Sequence, residues 1–306
     1  MIENDIKVRQ NSPEGQRYLC AYSSVYAKAK LLLGIEFTLT IPVALGWSVV
    51  LISYPDVKPY MILYSFSVTL LDVLVLDRLQ SQLKEKAARI QEMFDCFLFE
   101  MPWRKLQVGE EVDLESLNEE ESRYRNWHKR LDHLHNWFHS DLGAIPLIYA
   151  RLICQRINLL WDTKLRKRYV TALKSLLAVF ALLVILFSVK QELSMHLFFG
   201  TVVAVLSPAF IWGIREITRH QESINKLRSL KSYVDAIWRR VGDKKTPPEE
   251  VQNKTIEIQT EIYRLRSKNP VIFDWVYKLQ RSKTQRHVDD VARDLITELR
   301  KNQVIH

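Results

Sequence analysis

The stretch ICQRINLLWDTKLRKRYVTALKSLLAVFALLVILFSV, residues 153–189, joins a polar segment directly to an apolar one. Residues 153–169 have helical spacing, yet they carry many side chains that donate or accept hydrogen bonds. The part from about Leu173 to Val189 has the composition of a membrane span, which needs about 17–25 mostly apolar residues. The chain therefore places a polar helix at the mouth of a membrane segment.

Three further stretches have the composition of a membrane span. They run from about Leu31 to Tyr54, from Tyr60 to Leu76 and from Leu193 to Trp212. Only the loops PDVKP (55–59) and KQE (190–192) separate the two members of each pair, so the sequence predicts two tight hairpins. A cleaved signal peptide is not expected, because the first apolar run is too long for a signal sequence and begins well inside the chain.

Basic residues are distributed asymmetrically across these hairpins. If both termini and the segment between the hairpins share one side, that side holds all 44 lysines and arginines except Lys58, Lys174 and Lys190. Cytoplasmic segments of membrane proteins carry an excess of Lys and Arg. The sequence therefore predicts a multi-pass membrane protein with its N- and C-termini in the cytoplasm.

The predicted fold is all-α, with four transmembrane helices in two hairpins and a helical cytoplasmic domain. Ser12 before Pro13 is typical of a helix N-terminus, and that helix is expected to continue into the first span. The division is 1–30 (cytoplasmic helix), 31–76 (hairpin 1), 77–172 (cytoplasmic insert, the predicted ligand sensor), 173–212 (hairpin 2) and 213–306 (cytoplasmic C-terminal helices).

Local signals predict the interruptions between cytoplasmic helices. The acidic segment 109–121 is expected to be a loop, 242–250 a linker, and SKNPV (267–271) a helix break. The last helix is expected to pack or pair through one apolar face, which carries Val288, Val291, Leu295 and Leu299.

The polar side chains before the third span share one helical face. At about 100° per residue, this polar stripe contains Arg151, Gln155, Asn158, Asp162, Arg166 and Tyr169. One interpretation is a solvated face, on which Asp162 and Arg166 form an i, i+4 pair worth about 0.2–0.5 kcal/mol.

The other interpretation is the wall of a ligand site. Arginine supplies forked donors for phosphate, amide side chains match base edges, and aromatic rings stack on bases. On this interpretation the candidate ligand-binding residues are the whole stripe with Arg156, Trp161 and Trp103 and, beside Tyr263, Arg264 and Arg266.

A second constellation lies in NWHKRLDHLHNWFHSD, residues 126–141. On a helix, His128, Asp132, His135 and His139 share one face. Such residues can hold a metal, but one helix seldom supplies four ligands, so a solvated or base-contacting face is the default interpretation.

Polar residues also occur inside the predicted spans, and the charged ones lie toward the cytoplasmic ends. Ionisable groups there usually face a bundle interior or water. Glu36 or Asp72 is expected either to pair with Lys174 as a structural contact or to mark the mouth of an ion path. The candidate pore or gate residues are Glu36, Ser65, Thr69, Asp72 and Lys174.

Motifs of known enzyme classes are scarce. The sequence contains no GxSxG, P-loop, GxGxxG or HExxH, and its eight glycines leave little for a phosphate-binding loop. Its three cysteines, Cys20, Cys96 and Cys154, are widely spaced, which argues against a disulfide framework or a zinc site. No catalytic residue, metal or cofactor is predicted.

Five stretches carry a family resemblance. They are RYLCAYSSVYAKAK (17–30), FDCFLFEMPW (94–103), NWFHSDLGAIP (136–146), ARLICQRINLLWDTKLRKRY (150–169) and IQTEIYRLRSKNPVIFDWVY (258–277). Together with the two hairpins, these stretches resemble the SMODS-associating four-TM effectors of bacterial CBASS antiphage systems over nearly the whole chain. The string CQRxNxxWDxxLRxxY is the most specific part of the resemblance.

The resemblance implies a non-enzymatic membrane effector of antiviral defence. An associated nucleotidyltransferase would make a cyclic di- or trinucleotide, and the cytoplasmic helices would bind it. The chain would then oligomerise and permeabilise the inner membrane, with no DNA or RNA polymer as partner. Two alternatives stay open: a passive membrane scaffold that recruits a cytoplasmic partner, and a membrane-bound enzyme that uses the histidine cluster at 128–139.

Overall fold

The computed structural model describes residues 4–128, 131–138, 140–190, 204–302 and 304–305. Within these ranges all regular secondary structure is helical, and no strand is present. The all-α fold class predicted from the periodicity is therefore confirmed.

The first half of the chain forms long helices joined by short connections. A 3₁₀ turn, Pro55–Val57, connects the first two apolar segments, and a π-helical turn, Asp72–Leu76, interrupts the second long helix. The α-helices are α1 (Ile6–Asn11), α2 (Pro13–Thr40), α3 (Pro42–Ser53), α4 (Lys58–Leu71) and α5 (Asp77–Phe99).

The second half contains two helices of about forty residues and several shorter ones. The 3₁₀ turns Asp132–Leu134 and Ser140–Ala144 lie before the longest helix. The α-helices are α6 (Lys105–Val108), α7 (Leu114–Trp127), α8 (Leu147–Lys190), α9 (Ala204–Gly242), α10 (Pro248–Lys268) and α11 (Asp274–Lys301).

The first apolar segment begins as predicted and then breaks. Ser12 Oγ accepts the backbone N–H of Gly15 at 3.1 Å, and Pro13 occupies the first helical position. The helix runs into the apolar segment until Pro42, whose ring removes a backbone donor and ends the hydrogen-bond ladder. The predicted single span is therefore two helices, α2 and α3. The Tyr64 hydroxyl donates to the carbonyl of Leu39 near this break, at 2.8 Å.

Three helical segments of the described chain are long and apolar enough to cross a membrane: Pro13–Trp47, Lys58–Phe99 and Leu147–Lys190. Their apolar parts are largely uncovered by protein; Leu182 and Leu183 on α8 are 55% and 59% exposed. Large aliphatic faces of this kind are stable against lipid rather than water. The predicted fourth span, Leu193–Trp212, lies partly outside the described residues, and its end forms the start of α9.

The helices outside the apolar segments form one body with a shared core, here called the helical body. In it α2 packs against α5 and α7, while α8 packs against α9, α10 and α11. The prediction that the last helix packs through one face is confirmed, because Val288, Leu295 and Leu299 are buried. Leu19, Leu152 and other fully buried aliphatic side chains fill the same core.

Two predicted connections have different outcomes. The break at 267–271 is confirmed, since α10 ends at Lys268. The prediction of an acidic loop over residues 109–121 is wrong beyond residue 113, because α7 begins at Leu114. Asp113 caps that helix, its carboxylate accepting the backbone N–H of Ser116 at 2.7 Å, and a cap followed by acidic residues stabilises a helix start.

A second apolar cluster lies where the helical body meets the apolar segments. It joins α2, α8, α9 and the chain that leads into α11. Phe37 packs edge-on against Trp212, with ring centroids 5.4 Å apart, and against Phe273 at 5.7 Å. Its buried members are Ala29, Leu33, Leu165, Tyr169, Leu173, Trp212, Val271, Ile272 and Val276.

Candidate functional site

The helix α8 carries both the polar stripe and the third apolar segment without interruption. The prediction that the two share one helix is confirmed. The stripe does not face solvent, however, because α9, α10 and α11 pack around it. The solvated-face interpretation is therefore wrong for its buried members, which are Arg151, Gln155, Arg166 and Tyr169. Asn158, Trp161 and Asp162 are partly buried.

At the end far from the membrane segments, Arg151 binds the C-terminus of α5. Its guanidinium donates to the carbonyls of Phe99 at 2.5 Å and Glu100 at 3.1 Å. Glu100 has a φ of 53°, in the left-handed region that ends many helices. A cation at carbonyls left without helical partners is favourable, also because it opposes the helix dipole.

One turn further, Gln155 enters a buried polar network. Its amide donates to the carbonyl of Thr255 at 2.8 Å and to Gln259 Oε1 at 3.1 Å. The Gln259 amide in turn donates to Glu92 Oε2 and Asp95 Oδ2, both at 2.8 Å. Two carboxylates of α5 thereby become linked to α8 through α10.

Two arginines neutralise these buried carboxylates. Arg104 pairs with Glu92, and Arg266 pairs with Asp95. Burial and the nearby charge of Asp95 raise the pKa of Glu92 to about 7. Of the two candidate arginines beside Tyr263, Arg266 thus lies inside this network, whereas Arg264 forms an exposed pair with Glu261 at 2.6 Å.

Arg156 joins α8 to α9. Its Nε donates to Asp235 at 2.6 Å, and its guanidinium lies over the ring of Trp238 at 6.0 Å. Burial opposes ionisation of Asp235, but hydrogen bonds from Lys231 and Arg156 outweigh it and lower the pKa of this carboxyl. Trp103, the remaining candidate for base stacking, donates from Nε1 to the carbonyl of Gly109 at 2.9 Å.

Nearer the membrane segments, Arg166 makes the densest set of contacts in the stripe. Its Nε pairs with Asp162 at 2.8 Å, as the i, i+4 spacing predicts. Its Nη1 donates to the carbonyl of Pro270 at 2.8 Å and to Nδ1 of His220 at 2.9 Å. One side chain of α8 therefore holds both α9 and the segment that precedes α11.

The tautomer of His220 follows from these contacts. A guanidinium can only donate, so Nδ1 accepts and the proton lies on Nε2, which donates to Glu216 at 2.9 Å. Burial lowers the pKa of His220, and the adjacent Arg166 charge acts in the same direction. Tyr169 packs edge-on against this ring at 4.7 Å. We call Asp162, Arg166, Tyr169, Glu216 and His220 the junction.

On the same helix α9, Arg215 binds two carboxylates at the ends of apolar segments. Its Nη2 lies 2.5 Å from Glu36 on α2 and 2.7 Å from Asp72, where the π-helical turn begins. The expected pairing of Glu36 or Asp72 with Lys174 is therefore wrong; Lys174 is exposed. We call Glu36, Asp72 and Arg215 the clamp.

The other candidate gate residues lie on α4. Thr69 is exposed, and its hydroxyl donates to the carbonyl of Ser65 at 2.9 Å, within its own helix. Ser65 is partly buried. Asp72 follows on the same helical face, where the change to π-helical geometry begins. Local π-helical turns often occur at functional positions.

The histidine cluster does not form the predicted helical face. The helix α7 ends at Trp127, and a 3₁₀ turn at Asp132–Leu134 follows. These residues are therefore not on one continuous helix, and their spacing does not place them on one face. His128 stacks on Tyr124, with centroids 4.2 Å apart, and His139 lies outside the described residues. Among the residues that the structure describes, no group of His, Cys, Asp or Glu is arranged to hold a metal.

Several residues of these networks were missed by the sequence analysis. Glu216 and His220 have i, i+4 spacing, a signal that any surface helix can show. The decisive partner, Arg166, lies 54 residues from His220, and Arg215 lies 179 residues from Glu36. No periodic pattern connects positions so far apart. The missed residues are Glu92, Asp95, Arg104, Arg215, Glu216, His220, Asp235 and Gln259.

The geometry connects the helical body to the membrane segments through two helices. The stripe on α8 reaches the junction, and α9 carries Glu216 and His220 of the junction beside Arg215 of the clamp. A movement of α9 would therefore disturb the contact of His220 with Arg166 and those of Arg215 with Glu36 and Asp72 together. This arrangement suits the transmission of a conformational change between the two regions.

Comparison with known proteins places these features in a family. Residues 4–295 match the SMODS-associating 4TM effector domain. A curated protein of Bacillus cereus (strain VD146), described as a probable CBASS effector molecule, is 25% identical over 227 residues, which cover 72% of this chain and 76% of the relative. No solved structure matches the chain. The chain belongs to the SMODS-associating four-TM effector family, and this membership indicates a CBASS effector.

Proposed function

We propose that this chain is a non-enzymatic CBASS effector that binds a cyclic di- or trinucleotide and then permeabilises the bacterial inner membrane. Both termini and the helical body lie in the cytoplasm, where an associated nucleotidyltransferase supplies the ligand. The observation that carries the proposal is the continuity of α8, which holds the arginines of the polar stripe and an apolar membrane segment in one helix.

Ligand phosphates would act by replacing internal carboxylates. Arg156 is paired with Asp235 and Arg166 with Asp162, and we assign this arrangement of internal ion pairs to the resting state. A phosphate offers the same forked acceptor geometry with more oxygens. Its binding would release the carboxylates and loosen the packing of α8 against α9, while Trp161 supplies a partly exposed ring for a base.

Switching between the resting and active states requires a minimum difference in ligand affinity between the two states. Moving a two-state equilibrium from 1:99 to 99:1 takes about 5.5 kcal/mol of differential affinity. A hydrogen bond to a charged group contributes about 1.5–3 kcal/mol. Two phosphate contacts contribute about 3–6 kcal/mol and two stacked bases about 2–6 kcal/mol, so the ligand must make both kinds of contact in the active state, and one contact alone is not sufficient.

The active state is a homo-oligomer. A few apolar helices in one chain cannot enclose a wide aqueous path, and closed symmetry is the usual solution for such assemblies. Release of the clamp would free Asp72 and the polar face it shares with Ser65 and Thr69 to line the path. Glu36 would then lie near its cytoplasmic mouth and Lys174 on the neighbouring hairpin.

The test uses purified full-length protein and a panel of cyclic di- and trinucleotides. A cognate ligand should raise the unfolding temperature of the protein in detergent, and it should release a self-quenched dye from proteoliposomes. Arg156→Ala should reduce affinity about ten- to a hundredfold, as expected for a lost charge-assisted contact. Lys167→Ala, which removes an exposed basic side chain of α8, is the control.

Two results would contradict the proposal in different ways. Full-strength binding by folded Arg156→Ala and Arg166→Ala proteins would exclude the stripe as the ligand wall and redirect attention to Arg264 and Arg266. Binding without dye release or loss of membrane potential would favour the scaffold alternative. Turnover of the nucleotide that disappears in a His135→Ala variant would instead favour an enzyme.

A further inference from the structure

A groove between α2 and α5 opens where both helices approach their apolar segments. It has a volume of about 360 Å³ and is lined by Lys28, Leu31, Leu32, Leu79, Gln82, Leu83 and Lys86. From the order of these side chains we propose that the groove binds one anionic phospholipid. The phosphate would bind the two lysines, and an acyl chain would cover the leucines.

The side chains are arranged along the membrane normal in the order of a lipid molecule. The helix α2 runs toward its apolar segment, so Leu31 and Leu32 lie on the membrane side of Lys28. The helix α5 runs away from the second apolar segment, so Leu79 and Leu83 lie on the membrane side of Lys86. At about 1.5 Å per residue, Lys28 stands only about 4.5 Å beyond Leu31, which is the level of lipid headgroups.

The two ammonium groups converge on one point. Lys28 Nζ lies 2.7 Å and Lys86 Nζ 3.3 Å from the same carboxylate oxygen of Glu120, on α7. The lysine side chains are 23% and 34% exposed, but that of Glu120 is only 4% exposed, so the carboxylate lies behind the ammonium groups. Each ammonium has three donors and therefore keeps donors for an incoming oxygen. The formal charge of the three groups is balanced by a single phosphodiester.

The floor of the groove is uncovered. Leu31 is 64% exposed and Leu79 is 43% exposed, although both lie beside charged groups at the edge of the membrane. An acyl chain removes this apolar surface from water. A choline headgroup would bring a third cation to the two lysines. A headgroup of the glycerol type carries hydroxyls instead, and the exposed amide of Gln82 can bond them.

The experiment uses delipidated full-length protein in detergent, titrated separately with phosphatidylglycerol and phosphatidylcholine. Native mass spectrometry counts bound lipids, and thermal unfolding measures their effect on stability. We expect one phosphatidylglycerol to be retained with an affinity at least about tenfold above that of phosphatidylcholine. Inorganic phosphate and glycerol 1-phosphate, which lack acyl chains, should give no comparable stabilisation.

Variants separate the two halves of the site. Leu79→Gln changes an exposed floor residue without touching Glu120, so it should fold and should weaken phosphatidylglycerol binding about tenfold. Lys86→Gln should have a similar effect and should also reduce the preference over phosphatidylcholine. Lys167→Gln removes an exposed basic side chain from α8 and should leave the affinity unchanged.

Three outcomes would overturn the lipid site. Equal retention of the two phospholipids would remove the role of the lysines. Unchanged binding by Leu79→Gln would remove the role of the apolar floor. Stabilisation by inorganic phosphate or glycerol 1-phosphate to the same extent would show a soluble-anion site. None of these measurements requires the cyclic nucleotide, so they stand apart from the test of effector activity.

Discussion

The two halves of α8 differ in which side chains are buried. In the first half Gln155 is fully buried and Arg166 nearly so, although both are polar. In the second half Leu182 and Leu183 are more than half exposed, although both are apolar. Burial along this helix therefore does not follow hydropathy, because the half that carries the polar side chains is the more buried one. Gln155 meets partners on α10, and Arg166 meets partners on α9 and in the segment before α11. The apolar side chains of the second half are exposed where lipid serves as the solvent.

This contrast indicates which half of α8 contributes more to the stability of the fold. In the first half, the buried network holds four helices in one arrangement, and loss of any member leaves a partner uncompensated. In the second half, the surroundings resemble the side chains themselves, so single changes matter little. The helix is therefore sensitive to substitution in its polar half and tolerant of substitution in its apolar half.

Replacing Arg166 should have the largest effect. Arg166→Met removes the cation from Asp162 and leaves the carbonyl of Pro270 and the Nδ1 of His220 without a donor. We expect a loss of about 3–5 kcal/mol in the free energy of unfolding, measured by chemical denaturation in detergent. Lys167→Met, which changes an exposed residue of the same helix, should stay within about 0.5 kcal/mol of the native protein. Similar losses in the two variants would contradict the contrast.

The clamp should show an intermediate effect. Arg215→Gln leaves Glu36 and Asp72 without their common cation and should destabilise the protein by about 1.5–3 kcal/mol. Adding Glu36→Gln and Asp72→Asn removes the uncompensated charges and should restore part of the loss. Lys174→Leu should have no such restoring effect on an Asp72→Leu variant, and rescue by that change would contradict the pairing with Arg215.

The pH dependence of the junction should be smaller and confined to acid. His220 is faced by Arg166, Asp162 and Tyr169 from α8 and by Glu216 on its own helix. Burial lowers its pKa, so the folded state binds fewer protons than the unfolded state below about pH 6.5. Its contribution to stability is thus complete above that pH and is lost as the pH falls.

The comparison with His220→Gln isolates this effect, because glutamine keeps hydrogen-bonding atoms and does not titrate. The difference in unfolding temperature between the native protein and the variant should shrink as the pH falls from 7 toward 5. Glu92 titrates near neutrality in both proteins and cancels from the difference. A difference independent of pH would show that the protonation of His220 does not couple to folding.

The smallest effect is expected on the lipid-facing half of α8. Leu183→Ala should change the free energy of unfolding by less than about 1 kcal/mol, because lipid fills the space that the side chain leaves. The matched change Leu152→Ala, at a fully buried position of the same helix, should cost about 2–5 kcal/mol. Denaturation of both variants in the same detergent tests the prediction, which fails if the two losses are equal.

The sequence by itself determined the local features of this protein. The helical class, the three described apolar segments, the cap at Ser12 and the continuity of α8 all follow from interactions within about one helical turn, and all are confirmed. The break between α2 and α3 is also predictable from the sequence, because Pro42 removes a backbone donor. The prediction of a shared histidine face is wrong because it assumed one helix over residues 126–141, whereas the helix ends at Trp127.

Only the tertiary structure decided which charges meet. The stripe on α8 reads equally well as a solvated face or a ligand wall, since its spacing does not reveal what packs against it. Its arginines are buried because other elements bring partners to them. The carbonyls at the end of α5 meet Arg151, and His220 of α9 and the Pro270 carbonyl meet Arg166. Asp72 pairs with Arg215 rather than Lys174 because the packing of α9 places that guanidinium between α2 and α4. Electrostatic pairing depends on distance in space, and the partners here lie 54 to 179 residues apart in the chain.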